Sequence, residues 1–138
     1  MTAGRIIGLQ HLAINVINLD AAKTFYAEML GLPELPRPAA VADQFRSVWY
    51  LLGNAELHVV ENPEFKPLKS PLGPHFAVAC DDFNQACERI SKQTDAIVFG
   101  PARGVDGIER MVVRDPTGNI VEIIDLPLHG NGSSVTAR

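Results

Sequence analysis

Hydrophobic and polar positions alternate through residues 8–16, which predicts a strand with one buried face. The other face of this strand carries a more polar row, made of His11, Ala13 and Asn15. From residue 19 the apolar positions recur at steps of three and four, which predicts a helix with one buried face. Asn18 is suited to cap the start of that helix and Gly31 to end it.

Three further strands are predicted in the first half of the chain. Prolines restrict residues 32–40 to a short edge strand followed by a loop. Residues 45–52 and 55–61 are predicted to form a hairpin, because Gly53-Asn54 suits the positive φ angles of a tight turn. Residues 62–74 are rich in proline and form the predicted linker.

The order of strand, helix and three strands recurs in the second half. Its elements are predicted at 75–80 (strand), 82–92 (helix), 96–99 (strand), 107–114 (strand) and 119–125 (strand). Asp81 or Asp82 caps the helix, and the last two strands form a hairpin around Asp115-Pro116-Thr117-Gly118.

The predicted fold class is therefore α+β, with two tandem βαβββ modules in one domain. We expect the domain to span 6–128, with modules at about 8–61 and 75–126, and residues 129–138 to form a flexible tail. A chain of 138 residues buries about 68% of its unfolded surface, which is enough for a real core.

The two modules are related by a shift of 64 residues. His11 falls on His75 and His58 falls on Glu122, since 75 − 11 = 64 and 122 − 58 = 64. The same shift brings together two further polar pairs, Asn18 with Asp82 and Arg46 with Arg110. We interpret this pattern as an internal duplication without any insertion.

Composition narrows the class of partner. Charged residues make up 20% of the chain and the net charge is −4, which does not suggest a nucleic-acid or membrane surface. A small molecule is the expected partner. The chain contains neither an apolar run long enough to span a bilayer nor the pattern of a signal peptide, so we expect a cytoplasmic protein. Cys80 and Cys87 lack CxxC spacing and are expected to be buried thiols.

Four residues on the repeated strands have side chains that bind metals. His11, His58, His75 and Glu122 offer imidazole nitrogens and a carboxylate, the ligands that Ni, Zn, Co, Mn or Fe select. A single strand histidine is commonly a hydrogen-bonded structural residue. Four such residues related by one repeat favour a site for one divalent metal ion.

Residues 9–126 resemble the vicinal oxygen chelate superfamily, which includes glyoxalases, bleomycin-resistance proteins and ring-cleaving dioxygenases. The motifs that carry the resemblance are His11-Leu-Ala-Ile-Asn-Val, Leu57-His58-Val59-Val60-Glu61, His75-Phe-Ala-Val and Asp115-Pro-Thr-Gly-Asn-Ile-Val-Glu122. The resemblance implies curved mixed sheets around a metal, held by His11, His58, His75 and Glu122, and a homodimer. It leaves open whether one site uses one chain or two.

The resemblance supports a metal-dependent lyase or isomerase of glyoxalase type as the first hypothesis. Glu122 would move a proton on the substrate, for which a glutathione hemithioacetal is a candidate, while the metal stabilises an enediolate. Related glyoxalase I enzymes usually carry an acidic or amide ligand where this chain has His58. Glu56, two residues earlier on the same strand face, could also reach the cavity.

Two alternatives remain open at this stage. An Fe(II) extradiol-type dioxygenase would use His11, His75 and Glu122 as a facial triad, with His58 outside the coordination sphere. A non-catalytic protein could instead bind a small molecule such as an antibiotic. Weaker substrate-binding candidates are Arg46, Arg110, Glu56 and Trp49.

Overall fold

A computed structural model of the chain describes residues 4–70 and 73–130. The chain divides into two compact units. The first comprises Met1–Pro67 and Pro116–Asn119, and the second comprises Leu68–Asp115 and Ile120–Arg138. Residues 71–72 of the expected linker and 131–138 of the expected tail lie outside the described residues. Within the described part of the chain, no helix is long and apolar enough to cross a bilayer.

The first unit has one four-stranded sheet. Its elements are β1 (His11–Val16), α1 (Leu19–Lys23), a π-helical stretch (Thr24–Met29), β2 (Glu34–Leu35), α2 (Ala39–Gln44), β3 (Ser47–Leu52) and β4 (Ala55–Glu61). The strand order is β1-β4-β3-β2, with β1 parallel to β4 and the other pairs antiparallel. The first and last strands of the unit are therefore neighbours.

One face of this sheet forms the core of the first unit with the helix. Leu57 and Val59 of β4 and Val48 of β3 are almost completely buried, as are Leu19 and Ala22 of α1. The helix begins at the predicted cap, since the Asn18 side chain accepts a hydrogen bond from the N–H of Ala21 at 3.0 Å. The helix continues into the π-helical stretch, where the N–H of Leu30 donates to the carbonyl oxygen of Phe25, five residues earlier.

The second unit repeats the order of strand, helix and three strands, and its described residues include no counterpart of α2. Its elements are β5 (His75–Val78), α3 (Phe83–Ser91), a 3-10 turn (Thr94–Ala96), β6 (Ile97–Arg103), β7 (Glu109–Arg114) and β8 (Ile120–Ile124), with strand order β5-β8-β7-β6. Asp82 caps α3 by accepting from the N–H of Gln85 at 2.9 Å. Together the two units confirm the predicted α+β fold of two βαβββ modules.

The turn Pro116–Asn119 belongs by its contacts to the first unit. The N–H of Ile17 donates to the Thr117 hydroxyl at 2.8 Å, and the Asn119 amide donates to the carbonyl oxygen of Asn15 at 2.8 Å. Both contacts are made at the end of β1. The sequence of this turn, which carried much of the family resemblance, thus supplies side chains that hold the end of a strand.

The 64-residue repeat holds for most of the structure but fails in one strand. His58 pairs with Trp49 of β3, whereas its counterpart Glu122 pairs with Val112 of β7, and 112 − 49 = 63. The prediction of a duplication without insertion is therefore wrong at this strand. In the strand pairing, Arg110 of β7 corresponds to Ser47 of β3 and not to Arg46. Because a shift of one residue exchanges the two faces of a strand, Arg46 lies on the face of its sheet opposite to the one that Arg110 occupies in the other sheet.

Several predicted strands differ at their ends by two or three residues, and two elements differ more from expectation. Residues predicted as a loop after β2 include the short helix α2, for which Pro38 serves as the N-terminal flanking residue. β6 continues to Arg103, well past the predicted end at residue 99. Its pairing with β7 is interrupted by shifts of register around Gly100, where a Cβ atom would lie 2.3 Å from the carbonyl oxygen of Arg110. Glycine permits this close approach, so the strand continues past an irregularity.

Glu61 links the end of β4 to the start of α1, and its pKa lies below the ordinary value. It accepts the N–H of Leu19 at 2.9 Å and pairs with Arg46 at 2.7 Å, and both contacts favour the charged carboxylate. Because the pKa of Glu61 in the folded state lies below the ordinary value of 4.5, its contacts stabilise the fold fully at pH values above 4.5. This stabilisation is lost as the pH falls through the folded-state pKa.

We therefore expect Glu61→Gln to lower the melting temperature at pH 7, and the difference from wild type to shrink at pH 3. Melting temperatures of both proteins at the two pH values measure the effect. Glu64→Gln, at an exposed position three residues along the chain, serves as the control. A difference that stays constant between pH 7 and pH 3 would show that the Glu61 charge does not stabilise the fold.

Candidate functional site

Four predicted site residues of the first unit share one face of its sheet, the face opposite the buried core. In the parallel pairing of β1 with β4, His11 lies beside Glu56 and Ala13 beside His58. In the antiparallel pairing of β3 with β4, Trp49 lies beside His58. Side chains beside one another in a ladder point to the same face. The strand pairing therefore brings His11, Glu56, His58 and Trp49 together, as the sequence pattern predicts for the two histidines.

Three of these side chains form a continuous stack of rings. The ring centroids of Trp49 and His58 are 3.8 Å apart with planes 3° from parallel. Those of His58 and His11 are 4.3 Å apart with planes 15° from parallel. The rings come from three adjacent strands, whose ordinary spacing of about 4.8 Å is close to a stacking distance. His58 is thus held between two rings, and 13% of its side chain is exposed.

Hydrogen bonds occupy one nitrogen of each histidine in this stack. Nε2 of His58 lies 2.9 Å from Oε1 of Glu56, and Nδ1 of His11 contacts Oε1 of Gln10. Because Glu56 accepts the proton of Nε2, a neutral His58 has its lone pair on Nδ1. By the same argument His11 has its lone pair on Nε2. Each ring retains one nitrogen that could bind a cation.

In the second unit, His75 and Glu122 approach each other across the parallel pair β5 and β8. Nδ1 of His75 donates to the carbonyl oxygen of Gly73 at 2.9 Å, which leaves the lone pair of a neutral ring on Nε2. That nitrogen lies 3.5 Å from Oε2 of Glu122. Two lone pairs therefore face each other, and only a cation or a proton between them makes the approach favourable.

Arg110 binds the other oxygen of Glu122. Its Nη1 donates to Oε1 at 2.6 Å, and its Nη2 pairs with Asp106. The hydrogen bond with Asp106 raises the pKa of the guanidinium and holds the pKa of the Asp106 carboxyl below its usual range. Glu122 is among the few buried charged residues described, with 9% of its surface exposed. Arg110 thus supplies the opposite charge that a buried carboxylate requires.

The donor sets fit a divalent metal ion of the borderline type. Each unit presents two ligand atoms on the same face of its sheet, and in three histidines a hydrogen bond fixes which nitrogen is free, as is usual for metal-binding imidazoles. Among the residues that the structure describes, no group of three or more His, Cys, Asp or Glu side chains is arranged to hold a metal ion. The units therefore present two pairs, His11 with His58 and His75 with Glu122.

The remaining candidates have different surroundings. Arg46 pairs with Glu61, and its side chain is 65% exposed on the face opposite His58. Cys87 is buried and Cys80 half-buried, and burial raises the pKa of both thiols. Two residues that sequence reasoning did not single out lie beside Arg110, namely Gly104 and Asp106. The sequence feature that could have identified them is an acidic residue between two glycines, four residues before Arg110.

Comparison with known proteins gives one family. Residues 8–123 match the model of the Glyoxalase/Bleomycin resistance protein/Dioxygenase superfamily. No curated protein sequence matches the chain.

Solved structures of similar fold cover nearly the whole chain. A glyoxalase family protein from Bacillus anthracis is 25% identical, with a TM-score of 0.75, covering 91% of this chain and 100% of that one. A glyoxalase/dioxygenase from Nostoc punctiforme is 25% identical, with a TM-score of 0.74, covering 93% and 97%. Lactoylglutathione lyase from Agrobacterium tumefaciens, at 22% identity and a TM-score of 0.64, covers 86% and 92% and shares the fold.

The hydrogen bonds predict opposite tautomers for two of the histidines. In metal-free protein, at a pH where both rings are neutral, we expect the proton of His58 on Nε2 and that of His75 on Nδ1. Long-range nitrogen–proton NMR spectra distinguish the two forms. Glu56→Gln should weaken the preference at His58 and leave His75 unchanged, so the second ring is an internal control. The same tautomer at both rings would contradict the assignment.

Proposed function

We propose a function from one established premise, that the chain belongs to the glyoxalase/bleomycin resistance protein/dioxygenase superfamily. The chain acts as a metal-dependent lyase or isomerase of glyoxalase type on a small substrate with two neighbouring oxygens. The two ligand pairs, His11 with His58 and His75 with Glu122, bind one divalent ion in a homodimeric protein. A glutathione hemithioacetal is the first substrate to test.

One observation carries the proposal. The lone pair on Nε2 of His75 and the carboxylate oxygen Oε2 of Glu122 face each other at 3.5 Å on a half-buried face. Oε1 of Glu122 already accepts from Arg110, so the place left for a further positive charge is the one between Oε2 and Nε2 of His75. A proton or a metal ion would make this approach favourable, and a metal ion is the partner that the proposed function requires.

Glu122 is the proposed base. A bound divalent ion would stabilise the negative charge that develops on two substrate oxygens when a proton leaves the adjacent carbon. Oε1 of Glu122 is already bonded to Arg110, so Oε2 is the oxygen that takes the proton and returns it to the neighbouring carbon. The proton and the electron pair both stay within the substrate and Glu122, so no redox partner is required.

A specific contact also favours the second candidate, an Fe(II) dioxygenase. His58 has its Nε2 bonded to Glu56 and its ring between Trp49 and His11, so it is the most constrained of the four residues. If His58 stays in the stack, the metal would be held by His11, His75 and Glu122 alone, the facial triad of such enzymes. Oxygen consumption by iron-loaded protein with a catechol distinguishes this candidate from the lyase.

The decisive variant is Glu122→Gln. We expect turnover of the hemithioacetal of methylglyoxal and glutathione by Ni-, Co- or Zn-loaded protein to fall about 100- to 10,000-fold, because the amide cannot accept the proton. Glu109→Gln, which removes a carboxylate from the neighbouring strand in an exposed ion pair with Arg103, is the matched control. Metal content, measured on the same samples, separates loss of the base from loss of the ion.

Three outcomes would count against the lyase. Full activity of Glu122→Gln would remove Glu122 from the mechanism. Wild-type protein that binds none of Ni, Zn, Co, Mn or Fe would remove both enzyme candidates and leave a small-molecule binding protein. Oxygen consumption without hemithioacetal turnover would favour the dioxygenase.

A further inference from the structure

The two carboxylate oxygens of Glu122 lie in different surroundings. Oε1 is 2.6 Å from Nη1 of Arg110, a short charge-assisted hydrogen bond. Oε2 faces Nε2 of His75 at 3.5 Å. The side chain of Glu122 is 11% exposed, so water screens these interactions little. Arg110 therefore holds one oxygen of the carboxylate, and the other oxygen is directed toward His75.

Arg110 is itself fixed by the loop that joins β6 to β7. Asp106 bonds to its Nη2 and also accepts the N–H of Ile108 at 3.1 Å. The loop is closed by two backbone hydrogen bonds, from Gly104 to the carbonyl oxygen of Ile108 at 2.9 Å and from Gly107 to that of Gly104 at 3.0 Å. The guanidinium is thus held at one end by a short, well-bonded loop and holds Glu122 with the other.

Gly104 provides the space that the guanidinium occupies. A Cβ atom at this position would lie 2.9 Å from Nε and 3.2 Å from Cζ of Arg110. Gly104 does not have the positive φ that would disfavour alanine, and the three atoms nearest to such a side chain belong to Arg110 and Asp106. The Nε atom is buried and has no partner among the described residues. The absence of a side chain at Gly104 thus leaves room for the guanidinium of Arg110.

These contacts argue against the role first considered for Arg110, that of binding a substrate anion. Each of its terminal nitrogens already donates to a carboxylate, its third nitrogen is buried, and only 20% of its side chain is exposed, which leaves few N–H groups for a substrate anion. A competing role, in which the guanidinium takes the place of a cation, also fails on geometry. Arg110 contacts the oxygen of Glu122 that is turned away from His75, and it leaves the facing pair of atoms free.

We infer that Arg110 is a positioning residue, which holds Oε1 of Glu122 so that Oε2 alone serves as metal ligand and proton acceptor beside His75. Asp106 and Gly104 complete the device by fixing the guanidinium. This inference rests on the proposed function and names the part of the chain that makes Glu122 a one-oxygen ligand. Outer partners of metal ligands commonly change metal affinity about 10- to 100-fold.

The test is metal binding by variants of Arg110 and Gly104. We expect Arg110→Gln to weaken Co²⁺ and Ni²⁺ binding about 10- to 100-fold by calorimetry and to alter the visible absorption of the Co²⁺ complex. Arg110→Lys keeps the charge but cannot bridge both carboxylates, so its affinity should be intermediate. Gly104→Ala, which displaces the guanidinium without deleting it, should also weaken binding.

Matched controls lie close by. Arg103→Gln removes an arginine whose side chain is 70% exposed and pairs with Glu109, and Gly8→Ala adds a methyl group where nothing lies within 4 Å. Both should bind the metal as wild type does. Should Arg110→Gln fail to fold, Gly104→Ala and Arg110→Lys still decide the matter. Unchanged or tighter metal binding in these variants overturns the inference.

A second readout separates failure of the inference from failure of the proposed function. The ring nitrogen chemical shifts of His75 in metal-free protein depend on the distance and orientation of the Glu122 carboxylate that faces the ring. We expect them to change in Arg110→Gln and Gly104→Ala and to stay fixed in Arg103→Gln. If wild-type protein binds no metal but the His75 shifts change in the variants, the proposed function is contradicted and the positioning role of Arg110 is supported. Unchanged shifts in both variants remove the positioning role.

Discussion

Parallel pairing of the first and last strand of each unit is the constraint on which the site depends. In a pleated strand the side chains alternate between faces, so pairing β1 with β4 and β5 with β8 brings one residue from each end of a module to the same face. The opposite faces are apolar and buried. Burial of one face thus fixes the register, and the register fixes the neighbours of each metal-binding candidate.

The two units use this constraint in different ways. In the first, a stack of aromatic rings surrounds His58, and its contacts are mainly between flat faces. In the second, charges surround Glu122, which lies between an arginine and an imidazole. The first arrangement limits the rotation of a ring, and the second limits the rotation of a carboxylate. Similar backbones therefore carry ligands that are restrained by unlike forces.

Sequence reasoning predicted those features that depend on local patterns. The caps Asn18 and Asp82, the strand Ala55–Glu61 and the histidines at the start of β1 and β5 follow from alternation, helical spacing and the repeat. The sharing of a face by His11 and His58, and by His75 and Glu122, also follows. These features are set by residues near each other in the chain or by the repeat itself.

Features that depend on strand register could not be predicted in this way. The match of Arg46 with Arg110 was misleading, because one residue of slip between β3 and β7 separates them by face. The contact of Glu56 with His58 and the stack on Trp49 require knowing which rotamers the neighbours adopt. α2 was missed because it has only six helical residues and follows a proline-rich segment, so it carries too little periodicity to stand out.

The slipped strand also suggests how such a protein could diversify. One residue more between β7 and β8 is offset by one residue fewer between β6 and β7, since 122 − 112 exceeds 58 − 49 by one and 112 − 99 falls short of 49 − 35 by one. This shift exchanges the side chains that β7 presents beside Glu122, while the strands that carry the ligands keep their alignment. Ser47 in one half is thereby matched by Arg110 in the other. After a gene duplication, a change of this size in a turn would give each half its own surroundings without disturbing the inherited ligands. The lengths of the two loops that flank β7 then set which side chains lie beside Glu122 on an otherwise similar backbone.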